Sequence, residues 1–156
     1  MLHTEQLDST DIDILRALQE DARLSLRQLA TRIHRSPTPT YERLRRLERE
    51  GYISDYVAVI DALKLGRNIM VYCQVKLKSI SKAIADEFEQ RVAGLDEVAE
   101  CYNVSGDFDY LLKIYAASMN DYQQFLLNRL GTISSVGSVH STFVMSEVKR
   151  NLSVKI

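Results

Sequence analysis

Apolar side chains recur every three or four positions through the first fifty residues, which predicts three short helices. Asp8 can cap the first helix, and Ser25 with Gln28 three residues later forms a capping box for the second. Ser36 precedes the third helix, which we expect to end at Gly51. The apolar positions of the first two helices are Ile12, Ile14, Leu15 and Leu18, then Leu26, Leu29, Ala30 and Ile33. Only a tight turn fits before the third helix, which is the pattern of a helix-turn-helix.

The third helix is predicted to have one apolar side and one basic side. Tyr41, Leu44 and Leu47 project together and should pack on the first two helices. The other side presents groups that bind phosphates or guanine edges, although a solvated surface helix is the alternative. The candidate DNA-binding residues, with Arg43 at the flank, are Ser36, Thr38, Arg43, Arg45, Arg46 and Arg49. Apolar residues between 52 and 60 predict short strands, which would form the wing of a winged helix-turn-helix.

From residue 69 onward the apolar residues alternate instead, which is the period of β-strands. The expected strands cover 69–77, 97–104, 109–116 and 136–147, and the expected helices cover about 81–93 and a stretch capped by Ser118. The order β-α-β-β-α-β is the ferredoxin-like arrangement. We therefore predict an α+β protein with a helix-turn-helix domain at 1–60, a linker at 61–68 and a ferredoxin-like domain at 69–156.

The predicted sheet has a face that its own helices leave uncovered. Two helices cover one face of a four-stranded sheet, and both alternation sets contain large apolar residues, such as Leu111 and Leu112. We therefore expect the second face to be apolar and exposed, which marks an interface. A two-fold homodimer is the simplest assembly that would cover this face.

Composition narrows the class of protein. The chain has 156 residues, of which 46% are hydrophobic and 26% charged, as in globular domains. No apolar run approaches the ~20 residues of a membrane span, and the N-terminus lacks signal-peptide features. Cys73 and Cys101 lack metal-site spacing and are expected to be reduced core thiols. The expectation is a cytoplasmic protein with no membrane association, metal or cofactor.

The charge balance hides an asymmetry within a chain of net charge −1. Residues 25–49 contain seven Arg and no Lys, against two Glu, whereas residues 61–156 carry equal numbers of basic and acidic groups. A short Arg patch in an otherwise neutral chain favours a small phosphate-binding surface. The patch includes the basic side of the third helix, which supports double-stranded DNA as a partner.

The hairpin at Gly106 is the candidate small-molecule site. Gly106 permits a positive φ and close backbone approach, and Asp107 and Asp109 could lie on one side of the chain. Backbone N–H groups there could bind a carboxylate while a side-chain carboxylate binds an ammonium, the two charges of an amino acid. An ordinary Asp/Gly turn is the plain alternative. A divalent-metal site is a further alternative, although the sequence offers no other ligands nearby.

Three stretches resemble the Lrp/AsnC family of transcription regulators, and its leucine-responsive branch in particular. They are SPTPTYERLRRLEREGYI at 36–53, SGDFDYLLK at 105–113 and VMSEVK at 144–149. The resemblance implies DNA contacts by Ser36, Thr38, Arg45, Arg46 and Arg49. It implies effector contacts by Tyr102, Asn103, Gly106, Asp107 and Asp109. It also implies homodimers that assemble into octamers or larger rings. The chain departs from the family at His34-Arg35, where the turn usually carries Gly and an apolar residue.

The favoured hypothesis is a nucleoid-associated regulator that binds DNA as an oligomer and senses an amino acid or a related molecule. An architectural DNA-binding protein of the same fold, without an effector, is the alternative. An enzyme that uses Asp107 and Asp109 is the third hypothesis. It lacks support, because the sequence shows no nucleophile, no phosphate loop and only three scattered histidines, His3, His34 and His140.

Overall fold

The computed structural model describes residues 7–151 and 153–156, which form two compact units. Residues 7–59, with the described part of 149–156, form the first unit, and residues 60–148 form the second. The residues that carry the signal-peptide interpretation lie largely outside the described range. The predicted domain boundaries and the linker at 61–68 stay a prediction.

Three helices form the first unit: α1 spans Ser9–Glu20, α2 spans Leu26–Arg32 and α3 spans Pro37–Arg49. Asp8 and Asp11 form a capping box at α1, and Ser25 with Gln28 forms one at α2, so both predicted caps are confirmed. Gly51 follows α3 with φ +79°, as expected of a helix-ending glycine. The helices meet in a small core that includes Ile14, Leu29 and Leu47.

The turn between α2 and α3 places a histidine in the left-handed region, with φ +54° at His34. The His34 N–H donates to the Thr31 carbonyl, and the Arg35 N–H donates to the Ala30 carbonyl, which closes α2. Glycine adopts this conformation without strain, whereas for a residue with a Cβ it costs about 1–2 kcal/mol. His34 therefore takes a backbone conformation that glycine would adopt without strain.

Residues 52–60 form no strand, so the prediction of short strands there is wrong for the single chain. A strand needs a partner that completes its backbone hydrogen bonds, and this segment pairs with no other strand. Val57, Val59 and Ile60 are exposed. The alternating apolar residues of this segment therefore remain uncovered.

The second unit confirms the predicted β-α-β-β-α-β order. Its elements are β1 Ile69–Leu77, α4 Lys82–Ala93, β2 Val98–Asn103, β3 Tyr110–Ala116, α5 Met119–Asn128 and β4 Val136–Phe143. All strand pairs are antiparallel, and the sheet order is β2-β3-β1-β4. The last strand ends at Phe143 rather than at residue 147, because its pairing with β1 stops where Phe143 lies opposite Val71.

Alternate residues of β1 and β3 build the core of the second unit. Val71, Cys73 and Leu112 are fully buried beneath α4 and α5, whose Phe88 and Phe125 pack against them. Cys101 is exposed, so the expectation that both thiols lie in the core is wrong. The reason is topological, since β2 is an edge strand of the sheet.

The sheet face opposite α4 and α5 mixes aromatic and polar residues. Strand register places Tyr72, Lys113 and Glu100 in one row across this open face. Lys113 Nζ lies 2.8 Å from Glu100 Oε1 and 5.8 Å from the Tyr115 ring centroid. The prediction of an apolar second face is therefore wrong in part, because Leu112, Ile114 and Phe143 all belong to the helix-covered core.

The last described residues lie along α1. Arg16 Nε donates to the Ile156 carbonyl at 3.2 Å, and Gln19 Nε2 donates to Ser153 Oγ at 3.0 Å. The Val154 carbonyl also accepts from Gln19. These polar contacts belong to the first unit, although the segment follows the second unit in the chain.

Replacing His34 with glycine should stabilise the protein. The substitution removes the left-handed strain, and the net gain is about 0.5–1 kcal/mol after glycine's greater freedom in the unfolded chain. The midpoint of thermal unfolding should rise by roughly 1–4 °C at matched protein concentration. His34→Ala is the control and should give no rise, because alanine retains the Cβ. A lower midpoint for His34→Gly would show that the imidazole makes a stabilising contact.

Candidate DNA-binding surface and ligand loop

The outer side of α3 presents a compact polar surface, which we call the α3 surface: Ser36, Thr38, Arg45 and Arg49. Ser36 and Thr38 are exposed, and the side chains of Arg45 and Arg49 are 64% and 73% exposed. The Ser36 side chain makes no capping hydrogen bond to its own helix. The first turn of α3 therefore combines hydroxyl groups with the positive end of a helix dipole, which suits a phosphate.

Arg43 and Arg46 turn inward and bind the first turn of α1. Arg46 Nη2 lies 2.6 Å from Asp11 Oδ2, and Arg43 Nη1 lies 2.9 Å from Asp11 Oδ1 and 2.6 Å from Asp8 Oδ2. Asp11 is only 1% exposed. The prediction that Arg46 points away from the other helices is therefore wrong, because a buried carboxylate on α1 attracts it.

The pKa of Asp11 reflects this arrangement. Burial raises it, but the hydrogen bonds from Arg46, the Asp8 N–H and Arg43 outweigh burial and bring the pKa below its usual value. The pKa of Asp8 is lowered by the Asp11 N–H and by Arg43. The pKa of Arg43 is raised by the same two carboxylates. The carboxylates and the guanidiniums of this cluster are therefore all charged near neutral pH.

The residues of α3 that pack against the other helices also differ from those that its apolar spacing predicts. Tyr41 is 49% exposed, whereas its neighbour Thr40 is 1% exposed and donates to the Ser36 carbonyl at 2.8 Å. Leu47 is fully buried and Leu44 packs against the core. The buried spacing is therefore residues 40, 44 and 47, and the prediction that Tyr41 packs inward is wrong. Thr40 can be buried because its hydroxyl donates to a backbone carbonyl of the first turn and is not left unpaired.

Glu48 connects the α3 surface to the segment after the helix, a link that the sequence analysis missed. Arg45 Nη1 donates to Glu48 Oε2 at 2.9 Å, and the Tyr56 hydroxyl donates to Glu48 Oε1 at 3.0 Å. Burial and the Glu48 carboxylate raise the pKa of Tyr56 to about 12, so the hydroxyl remains a donor at physiological pH. The three-residue spacing of Arg45 and Glu48 was the available signal.

The loop between β2 and β3 carries the predicted ligand residues, and its two aspartates have different environments. Gly106 has φ +119° and open space around it, and Asp107 is exposed. Asp109 Oδ2 instead accepts from the Leu77 N–H at 2.7 Å. Asp109 thus completes the end of β1, while the expectation that both carboxylates lie on one side of the chain stays a prediction.

The two strand residues predicted beside this loop have different environments. Tyr102 is 51% exposed on the open sheet face, and its hydroxyl donates to Glu100 Oε2 at 2.8 Å. Asn103 Nδ2 donates to the Asp109 carbonyl at 3.1 Å and closes the base of the hairpin. Asn103 therefore shapes the loop, while Tyr102 presents a ring beside it.

The described part of the chain holds no cluster of three or more metal-ligating side chains. Among the described residues, no helix is both long enough and apolar enough to cross a bilayer.

A helix-turn-helix with a basic outer face, followed by a ferredoxin-like domain, defines a class of two-domain DNA-binding regulators. A family model described as winged helix-turn-helix DNA-binding matches residues 7–54. A second, described as the Lrp/AsnC ligand binding domain, matches residues 70–154. Leucine-responsive regulatory proteins of Klebsiella pneumoniae and Escherichia coli K12 are each 38% identical over 94% of this chain and 90% of theirs.

Solved structures agree with this assignment. A Neisseria meningitidis transcriptional regulator in complex with L-Met superposes with a TM-score of 0.92 at 32% identity, covering 96% of this chain and 97% of that one. The chain belongs to the Lrp/AsnC family of transcription regulators, with a DNA-binding helix-turn-helix and a ligand-binding domain. Members of this family are regulators and not enzymes, which excludes the enzyme hypothesis.

Asp11→Asn should destabilise the first unit by about 2–3 kcal/mol, because it removes the charge of the buried carboxylate that both Arg43 and Arg46 bind. Urea unfolding at fixed protein concentration measures the loss. Since the folded pKa of Asp11 lies below its unfolded value, its contribution is complete above about pH 4 and disappears as pH falls through the folded pKa. As the pH is lowered, the free energy of unfolding of the variant should therefore fall less steeply than that of the wild type.

Asp13→Asn is the matched control, because it removes an exposed carboxylate from the same helix. It should change the free energy of unfolding by less than about 0.5 kcal/mol. Equal effects of the two variants would mean that Asp11 has no special role.

Proposed function

We propose that the α3 surface of this regulator binds double-stranded DNA. The observation that carries the proposal is that Arg45 and Arg49 are exposed along the helix that begins with the hydroxyls of Ser36 and Thr38. Arginine side chains bind guanine edges and phosphates in the major groove, and a helix N-terminus binds a phosphate. These four residues are the proposed direct contacts.

Arg43 and Arg46 have a different proposed role from the other predicted DNA-binding residues. Their guanidiniums hold α3 against α1 through Asp11. The Arg46 side chain is 21% exposed and that of Arg43 is 35% exposed. We infer that both act on DNA binding chiefly by setting the position of α3.

The proposed effector is an amino acid bound beside the loop at Gly106. Asp107 is exposed there for an ammonium group, and the positive φ of Gly106 opens the backbone for a carboxylate. Tyr102, Asn103 and Asp109 border this loop. A relative from Neisseria meningitidis with 32% identity was solved with L-Met, which supports this ligand class.

The proposed assembly is a homodimer through the open sheet face, with dimers joining into octamers or larger rings. Large side chains such as Tyr72 and Tyr115 lie half-buried on that face and would be covered by a second copy. A regulator of this kind acts on the chromosome, so we place it in the cytoplasm in association with the nucleoid.

Arg45→Ala and Arg49→Ala should each weaken DNA binding and lower the slope of log affinity against log salt by about one. Electrophoretic mobility shifts at several salt concentrations measure both quantities. Arg91→Ala is the control, because it removes an exposed arginine from α4 in the second unit. Wild-type affinity and slope in the Arg45 and Arg49 variants would assign the DNA surface elsewhere.

Arg46→Ala should instead lower the free energy of unfolding.

Asp107→Ala should abolish the change in DNA affinity or assembly that amino acids cause, because it removes the proposed ammonium partner. Electrophoretic mobility shifts with and without each common amino acid measure the change in DNA affinity, and sedimentation measures the oligomeric state. The dimer should persist, since Asp107 lies on an exposed loop. A retained response in the variant would place the effector elsewhere, and no response in the wild type would support the architectural alternative.

A further inference from the structure

A cavity of about 430 Å³ lies in the second unit, at the end of the sheet opposite the Gly106 loop. It opens between α5, the end of β3 and the residues before β2. Its floor is apolar, formed in part by Ile114 and Phe125, which are both buried. Cavities of this size with an apolar floor and a few polar groups are typical of small-molecule sites.

Glu97 places an unsatisfied acceptor at this cavity. Its Oε2 is buried and has no hydrogen-bond partner among the described residues, while its Oε1 lies 3.9 Å from Arg129 Nη1. The backbone around Glu97 is fixed, because its carbonyl accepts from the Tyr115 N–H at 3.1 Å. A buried carboxylate oxygen without a donor costs free energy that a ligand N–H group would recover.

Positive charge lines the same cavity. Arg67 and Arg129 both contribute to its wall. Asn68 Nδ2 donates to the Ala117 carbonyl at 3.2 Å, which holds the chain beside Arg67 at the end of β3. Asp121 also lines the cavity, but its carboxylate already accepts from the Ser118 hydroxyl. The cavity thus offers an acceptor for a cation, guanidiniums for an anion and an apolar floor.

We propose that this cavity is a second amino-acid site, in which Glu97 binds the ammonium, Arg129 and Arg67 bind the carboxylate, and the floor takes an apolar side chain. The site is separate from the Gly106 loop, because β2 runs from the cavity to the loop. A six-residue strand spans roughly 20 Å, which is too long for one amino acid to reach both ends. The proposal extends the proposed function from one ligand site per chain to two.

Equilibrium dialysis with radiolabelled L-leucine, and separately with L-methionine, tests this proposal on the full-length protein. We expect two bound molecules per chain for at least one of them at millimolar free ligand. Glu97→Gln and Arg129→Gln should each remove one of the two, or weaken it at least tenfold, and leave the other unchanged. Asp107→Ala should remove the other bound molecule, which we place at the Gly106 loop, and leave the molecule in the cavity.

Asp96→Asn is the matched control, because it neutralises an exposed carboxylate next to Glu97 that does not line the cavity. It should bind two molecules per chain. Circular dichroism and DNA affinity check that each variant is folded. One molecule or none per chain in the wild type would overturn the proposal, as would two molecules in both Glu97→Gln and Arg129→Gln. If Asp107→Ala still binds two molecules per chain, the loop site is contradicted and the proposal for the cavity is unaffected.

Discussion

The buried carboxylate of Asp11 is the constraint on which the DNA-binding unit depends. It accepts hydrogen bonds from the Asp8 N–H, Arg43 and Arg46, so one side chain both caps α1 and holds α3. A buried carboxylate is stable only when such partners surround it, and each guanidinium is in turn fixed by it. The angle at which α3 presents its outer residues therefore follows from an ion cluster as well as from the apolar core.

The same division between structural and exposed charges occurs in both units. On α3, Arg46 serves the interior, whereas Arg45 and Arg49 face solvent. In the β2–β3 loop, Asp109 completes the backbone of β1, whereas Asp107 is exposed. In each case residues of the same type, at most three positions from one another, have different roles because only one of them meets a buried partner.

The sheet of the second unit organises four regions with different chemistry. One face packs against α4 and α5 and supplies the core, and the open face carries aromatic and charged side chains suited to a second copy. The two ends of β2 carry the Gly106 loop and the cavity at Glu97. Ligands at the two ends would act on the same strands, which gives this domain a physical route for coupling two binding events.

Local signals in the sequence determined the helix caps, the glycine that ends α3 and the order of strands and helices, because these depend on neighbouring residues and on periodicity. The family followed from motifs in their order along the chain. The tertiary structure alone decided which arginines turn inward, that Thr40 rather than Tyr41 is buried, and that Cys101 lies on an edge strand. It also brought Glu97, Arg129 and Arg67 to one cavity. Such facts depend on partners distant in sequence, and helical or strand periodicity carries no information about those partners.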